Sequence, residues 1–117
     1  MMMLSKFAFF TFIACSMAVH FNIPSAFEEW EIGEDHTIIW DSVDTDPQIA
    51  QLYLSNYYRY PPINKYLTTL SVSDGRYTAD TRDWPIDGGY RINMRNPGNF
   101  DEIYAQSEEF ILNPARD

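Results

Sequence analysis

The sequence has a single cysteine, few basic residues, few glycines and no apolar run long enough to cross a bilayer. Cys15 has no second thiol to pair with, so stability must come from apolar burial and strand pairing rather than from an internal cross-link. Lys and Arg number 8 against 17 Asp and Glu, a net charge of −9. Nucleic acid and anionic membrane surfaces both require a basic face, so this balance argues against either as a partner. The 5 glycines form no phosphate-cradling loop: Gly88-Gly89 is an isolated pair before an extended segment. No Gly-x-Ser-x-Gly elbow is present, and neither His20 nor His36 has a serine and an acid in a pattern that would make a nucleophile. Apolar residues do not recur at helical spacing over any useful length.

What is there begins with a leader. Lys6 precedes an apolar stretch, Phe7 to Ala14, which ends in small residues at Ser16 and Ala18. A positive charge, a short apolar run and a small-residue exit are the three parts of a secretory signal peptide, expected over residues 1–18. Its removal takes Lys6 and Cys15 with it. The remaining 99 residues, 117 less 18, carry one positive charge fewer and a net charge of −10. That length fits one domain, residues 19–117. The polar end, Leu112 to Asp117, lacks the hydrophobic tail of a GPI signal. The expected product is therefore secreted to the extracellular space or cell wall, with no membrane anchor.

The mature chain is organised around Trp30 to Ser42, two extended segments joined by a polar turn at Gly33 to Asp35 and read as a central hairpin. Ile38 and Trp40 fall on one face of the second segment, because side chains alternate along a strand. Ala50, Leu52 and Leu54 repeat that pattern, as do Tyr90, Ile92 and Met94, with Arg91, Asn93 and Arg95 expected outward. Breakers separate these runs at Pro24, Asp44 to Pro47, Pro61-Pro62, Asp74-Gly75 and Asn96 to Asn99. Short alternating segments with turns between them predict an all-β fold: a single immunoglobulin or fibronectin III-like β-sandwich of about seven short antiparallel strands.

Candidate chemistry is sparse. The acids Glu28, Glu29, Glu31, Glu34 and Asp35, together with Asp41, Asp44 and Asp46, spread across two faces and contain no calcium-loop motif, so they read as a solvated edge and not as a metal site. An N-terminal His20 with His36 would suit copper, but Val19 is a poor residue before a cleavage site, and His36 is expected to face solvent. No metal or cofactor is therefore assigned, and no paired carboxylates line an obvious cleft. The aromatic residues stand out instead. Trp30, Trp40 and Tyr90 sit in alternating segments as core. Tyr57, Tyr58 and Tyr60 lie beside Arg59 in a proline-stiffened loop, and Trp84 precedes Pro85. Flat aromatic faces next to polar groups stack on sugar rings or dock a protein, so these five are the candidate ligand-binding residues.

Phe21-x-Ile23-Pro24, Trp30-x-x-Gly33-x-x-x-Thr37-Ile38-x-Trp40-x-Ser42, Gln51 to Asn56, Asp74-Gly75-x-Tyr77, Gly89-Tyr90-x-Ile92-x-Met94 and Ala105-x-Ser107-x-x-Phe110-x-Leu112 together resemble a known family. It is the N-terminal β-sandwich domain of fungal cell-wall synthesis proteins of the β-1,6-glucan assembly type and of related serine/threonine-rich, GPI-anchored surface proteins. The likeness covers residues 21–112. The family's Tyr-x-Trp-x-Val-Pro passage is altered here, with Thr78 to Asp83 between Tyr77 and Trp84-Pro85. The resemblance implies a wall-associated role with no catalytic residues to carry over. The aromatic loop points to binding of glucan or a wall glycoprotein, so the expected partner is cell-wall polysaccharide or an extracellular protein. The alternative is a small secreted effector that binds a host or neighbouring protein.

Overall fold

A computed structural model describes residues 18–116. Nine strands occur among the described residues: β1 His20–Ile23, β2 Glu28–Glu31, β3 Asp35–Asp41, β4 Ile49–Asn56, β5 Ile63–Ser71, β6 Arg76–Asp80, β7 Asp87–Asn96, β8 Asn99–Gln106 and β9 Phe110–Asn113. A 3-10 turn, Val72–Asp74, joins β5 to β6 and ends at Gly75 with φ of 75°, where glycine has no Cβ to clash. The leader expected over residues 1–18 lies, except for Ala18, outside the described residues.

The strands form two sheets. Six strands make one, in the order β2-β9-β7-β4-β5 with β8 also on β7; β1-β3-β6 make the other. The all-β, immunoglobulin-like sandwich expected from the alternating segments is thus the architecture, with two more strands than anticipated. The expectation of antiparallel pairing needs one correction. β2 runs parallel to β9, with Trp30 opposite Leu112.

The reason lies in the turn at Gly33. Trp30 and Trp40 do not face each other across a hairpin: β2 belongs to the six-stranded sheet, while β3 pairs with β1 and β6 in the other. Gly33, at φ of 91°, lets the chain cross from one sheet to the other, so β2 has no sequence neighbour to pair with and joins the edge of β9. Both tryptophans still point into the space between the sheets. Trp30, Ile38, Trp40, Leu52, Leu54, Tyr90, Ile92, Met94, Phe110 and Leu112 are all buried there, each stabilising the fold by roughly 1.5–3 kcal/mol through apolar area removed from water. The Trp40 indole donates to the carbonyl of Val72 at 2.7 Å, so its polar atom is satisfied inside the core.

β8 and β9 lie along the same edge of β7, one after the other. Ser107 bridges the break: its N–H donates to the Ile92 carbonyl at 2.9 Å and its Oγ accepts from the Ile92 N–H at 2.8 Å. A side-chain oxygen here substitutes for a ladder carbonyl, which keeps β7 paired across the gap between β8 and β9.

Candidate ligand-binding site

The loop from Tyr57 to Pro62 connects β4 to β5 at the end of the sandwich where β7 begins and β9 runs beside it. Asn56 fixes its take-off. The Asn56 amide donates to the Gly88 carbonyl at 2.9 Å, and its Oδ1 accepts the Tyr58 N–H at 3.0 Å. The second is a local side-chain-to-backbone bond of the kind that sets turn geometry, and the first ties the loop to the start of β7.

Three tyrosines stand at this end, 56%, 76% and 95% exposed at positions 57, 58 and 60. The first two rings are held in place. Tyr57 Oη donates to Asn64 Oδ1 at 2.8 Å and accepts from Arg95 at 3.1 Å. Tyr58 Oη donates to Glu109 at 2.7 Å, a bond that together with the negative charge of Glu109 pushes the phenol above its ordinary pKa. Beneath it, Gly89 has φ of 79°, and a Cβ there would lie 2.6 Å from Tyr58 Cδ2. Arg59 pairs with Asp87 at 3.3 Å, and Arg91 pairs with Glu109 at 3.4 Å while donating to the Ser107 carbonyl at 3.0 Å. These are partly exposed pairs, which orient side chains more than they stabilise the fold.

Trp84 does not join this surface. It is 2% exposed, with its ring 6.2 Å from that of Trp30 in the core. A tryptophan before proline in a loop pattern carries no sign of what it packs against, and the core claims it here. His36 also departs from its expected place in solvent: its ring stacks on Trp30 at 4.6 Å and 4° between planes, and its Nε2 donates to the Glu31 carbonyl at 2.9 Å.

Other residues belong with the site and were not singled out by sequence. Asn93 and Arg95, expected outward, do point to the outer face of the six-stranded sheet, yet both are buried. Tyr53, Phe100 and Tyr57 cover that face. The Arg95 guanidinium sits 4.0 Å from the Phe100 ring centroid and 5.4 Å from that of Tyr53, and it donates to the Phe100 carbonyl at 2.7 Å. It makes no ion pair among the described residues, so ring faces and neutral oxygens compensate its charge. A chain of hydrogen bonds runs from Asn93 through Ser55 Oγ at 3.0 Å to Asn64 at 2.8 Å and on to Tyr57. Phe27 is exposed, has φ of 57° and donates its N–H to the Glu109 carbonyl at 2.7 Å. A further ring therefore lies near the residue that holds Tyr58.

Hollows open on the surface among the described residues. A small one of about 140 Å³ is lined by Ser55, Tyr57, Tyr58, Gly89, Arg91 and Gln106. A larger, wide-open one of about 520 Å³ lies at the other end, beside Val43, Asp46 and Ser73. Asp46 already accepts the N–H groups of Ala18 and Val43 at 2.7 and 2.8 Å, so its carboxylate is committed to holding its own loop. The smaller hollow is where aromatic rings and polar groups meet.

Two packed sheets with immunoglobulin-like topology define the class of Ig-like β-sandwich domains. Within that class, residues 23–112 match the Kre9/KNH-like N-terminal Ig-like domain, and the chain belongs to that fungal cell-wall-related family. Similar relatives are an uncharacterised protein of Schizosaccharomyces pombe, 41% identical over 94% of this chain and 32% of its own length, and the serine/threonine-rich protein adg2 of the same yeast, 33% identical over 78% of this chain and 14% of its own. A UPF0619 GPI-anchored membrane protein of Aspergillus fumigatus is 34% identical over 85% of this chain and 46% of its own length. The chain spans less than half the length of each of these relatives. No solved structure matches it.

The expectation of a product with no membrane anchor is overturned by the Aspergillus relative, which is named as GPI-anchored. That expectation rested on the polar residues at the end of this chain, and the relatives continue well beyond the span they share with it.

Proposed function

We propose that this domain is a non-catalytic secreted module of the fungal cell surface that binds wall polysaccharide, glucan or the glycan of a wall glycoprotein, through its aromatic end, with residues 1–18 acting as the secretory leader and residues 19–117 as the domain. The observation that carries the reading is the set of exposed tyrosines at positions 57, 58 and 60, two of them pinned by hydrogen bonds. A pinned ring loses little conformational freedom on binding, so more of its contact area appears as affinity. Arg59 and Arg91 beside the rings supply N–H donors for hydroxyl groups. Membership of a cell-wall family supports a wall polymer over a host protein.

The test is co-sedimentation of the purified domain with β-1,3-glucan, β-1,6-glucan, chitin and cellulose. Selective retention on one of them is the expected result. A domain that stays in the supernatant with all four contradicts the reading and turns attention to a protein partner.

A further inference from the structure

We propose that the hollow beside Tyr57 and Tyr58 takes one neutral sugar ring of an isolated, solvated glycan chain, in preference to the flat face of a packed polymer. This rests on the polysaccharide reading above and specifies how the ligand is held. At about 140 Å³ the hollow has room for a few water molecules of ~30 Å³ each, which matches one ring and not a stacked surface. Its lining also has the two chemistries a pyranose presents. The tyrosine rings offer apolar faces to C–H groups. Ser55, Arg91 and Gln106 place hydroxyl, guanidinium and amide groups around the same space.

An independent observation comes from below the lining. Asn93 is fully buried, stands opposite Gln106 in the β7–β8 register and donates to Ser55, and both of those residues line the hollow. Its Oδ1 has no hydrogen-bond partner among the described residues. A buried acceptor without a donor is costly, and a hydroxyl donor satisfies it. Gln106, exposed and without a side-chain hydrogen bond among the described residues, has its amide free to bond a second hydroxyl of the same ring. Neutral ligand chemistry follows because Arg91 is already paired with Glu109, and the mature chain as a whole is acidic.

Short soluble β-1,3- and β-1,6-linked gluco-oligosaccharides, titrated into the isotope-labelled secreted protein, test this by amide chemical shifts. Gly89, Arg91 and Gln106 should move with one of them. Gln106→Ala, a surface change that leaves the core intact, should weaken binding roughly three- to tenfold, the loss of one hydrogen bond. Retention on an insoluble polymer with no response to soluble oligosaccharide overturns the ring-in-hollow mode and leaves the polysaccharide reading standing. Shifts confined to Arg59 and Tyr60 also overturn it. No response to either form of glycan removes both readings together.

Discussion

The ring of Tyr58 lies directly on the backbone of Gly89, so close that a single methyl group there would come within 2.6 Å of Cδ2. Gly89 also has φ of 79°, a conformation that side chains disfavour. Gly89→Ala therefore combines backbone strain with displacement of the ring. Chemical denaturation should show a loss of about 1–3 kcal/mol, and the near-UV tyrosine signal should change because Tyr58 leaves its bond to Glu109. An unaltered spectrum with full stability would show that the ring does not depend on the glycine.

The outer face of the six-stranded sheet depends on Arg95. The residue is 2% exposed, and its guanidinium serves the Phe100 carbonyl, Tyr57 Oη and Asn64 Oδ1 together. Lysine retains the charge but loses the planar fork and the stacking. Arg95→Lys should cost about 2 kcal/mol, measured by urea unfolding, and Tyr57→Phe in the same background should cost less than it does in the native protein, because the shared bond is already gone.

This face also shows where sequence reading reaches its limit. Period-two alternation correctly put Tyr90, Ile92 and Met94 between the sheets and Arg91, Asn93 and Arg95 on the opposite side. It says which side a residue takes and nothing about what covers that side. Phe100 arrives from β8 and Tyr53 from β4 to bury Arg95, a contact that joins separate segments. The same limit explains the supposed hairpin at Gly33. The turn was legible in Gly33-Glu34-Asp35, but whether a chain turns back within a sheet or crosses to another depends on which edges are free. The exposed tyrosine loop was legible because its prolines exclude regular strand, whereas Trp84 in a similar setting was claimed by the ring of Trp30.

Trp40, on β3, lies in the core between the two sheets. Its side chain is buried against Phe21, with ring centroids 6.1 Å apart, and its indole N–H is bonded to Val72. Trp40→Ala should destabilise by about 3–5 kcal/mol, read from the unfolding midpoint. A loss under about 1 kcal/mol would mean that the space between the sheets repacks freely.

Glu28 gives the fold an acid sensitivity. Burial raises its pKa, but the Ser25 N–H at 2.8 Å, the Trp30 indole at 2.8 Å and the Ser25 hydroxyl outweigh that effect and hold the carboxyl below the usual glutamate range. A carboxylate with a lowered folded pKa contributes stability that is complete above its unfolded value, about 4.3, and is lost as pH falls through the folded value. Between about pH 5 and about pH 3, the native protein should therefore lose stability more steeply than Glu28→Gln. Parallel pH profiles for the two proteins would remove Glu28 from the acid response.

The most direct measurement of the central claim is polysaccharide co-sedimentation of the Tyr57→Ala/Tyr58→Ala protein beside the native domain and Tyr60→Ala, with thermal unfolding run on each. Tyr60 is 95% exposed, so its truncation cannot disturb the core, whereas removing Tyr57 also frees Arg95 and the unfolding curve must show that the double variant is still folded. The account predicts that the folded double variant loses retention on the polymer that holds the native domain. Undiminished retention by that folded variant would contradict a binding site at the tyrosine end of the sandwich.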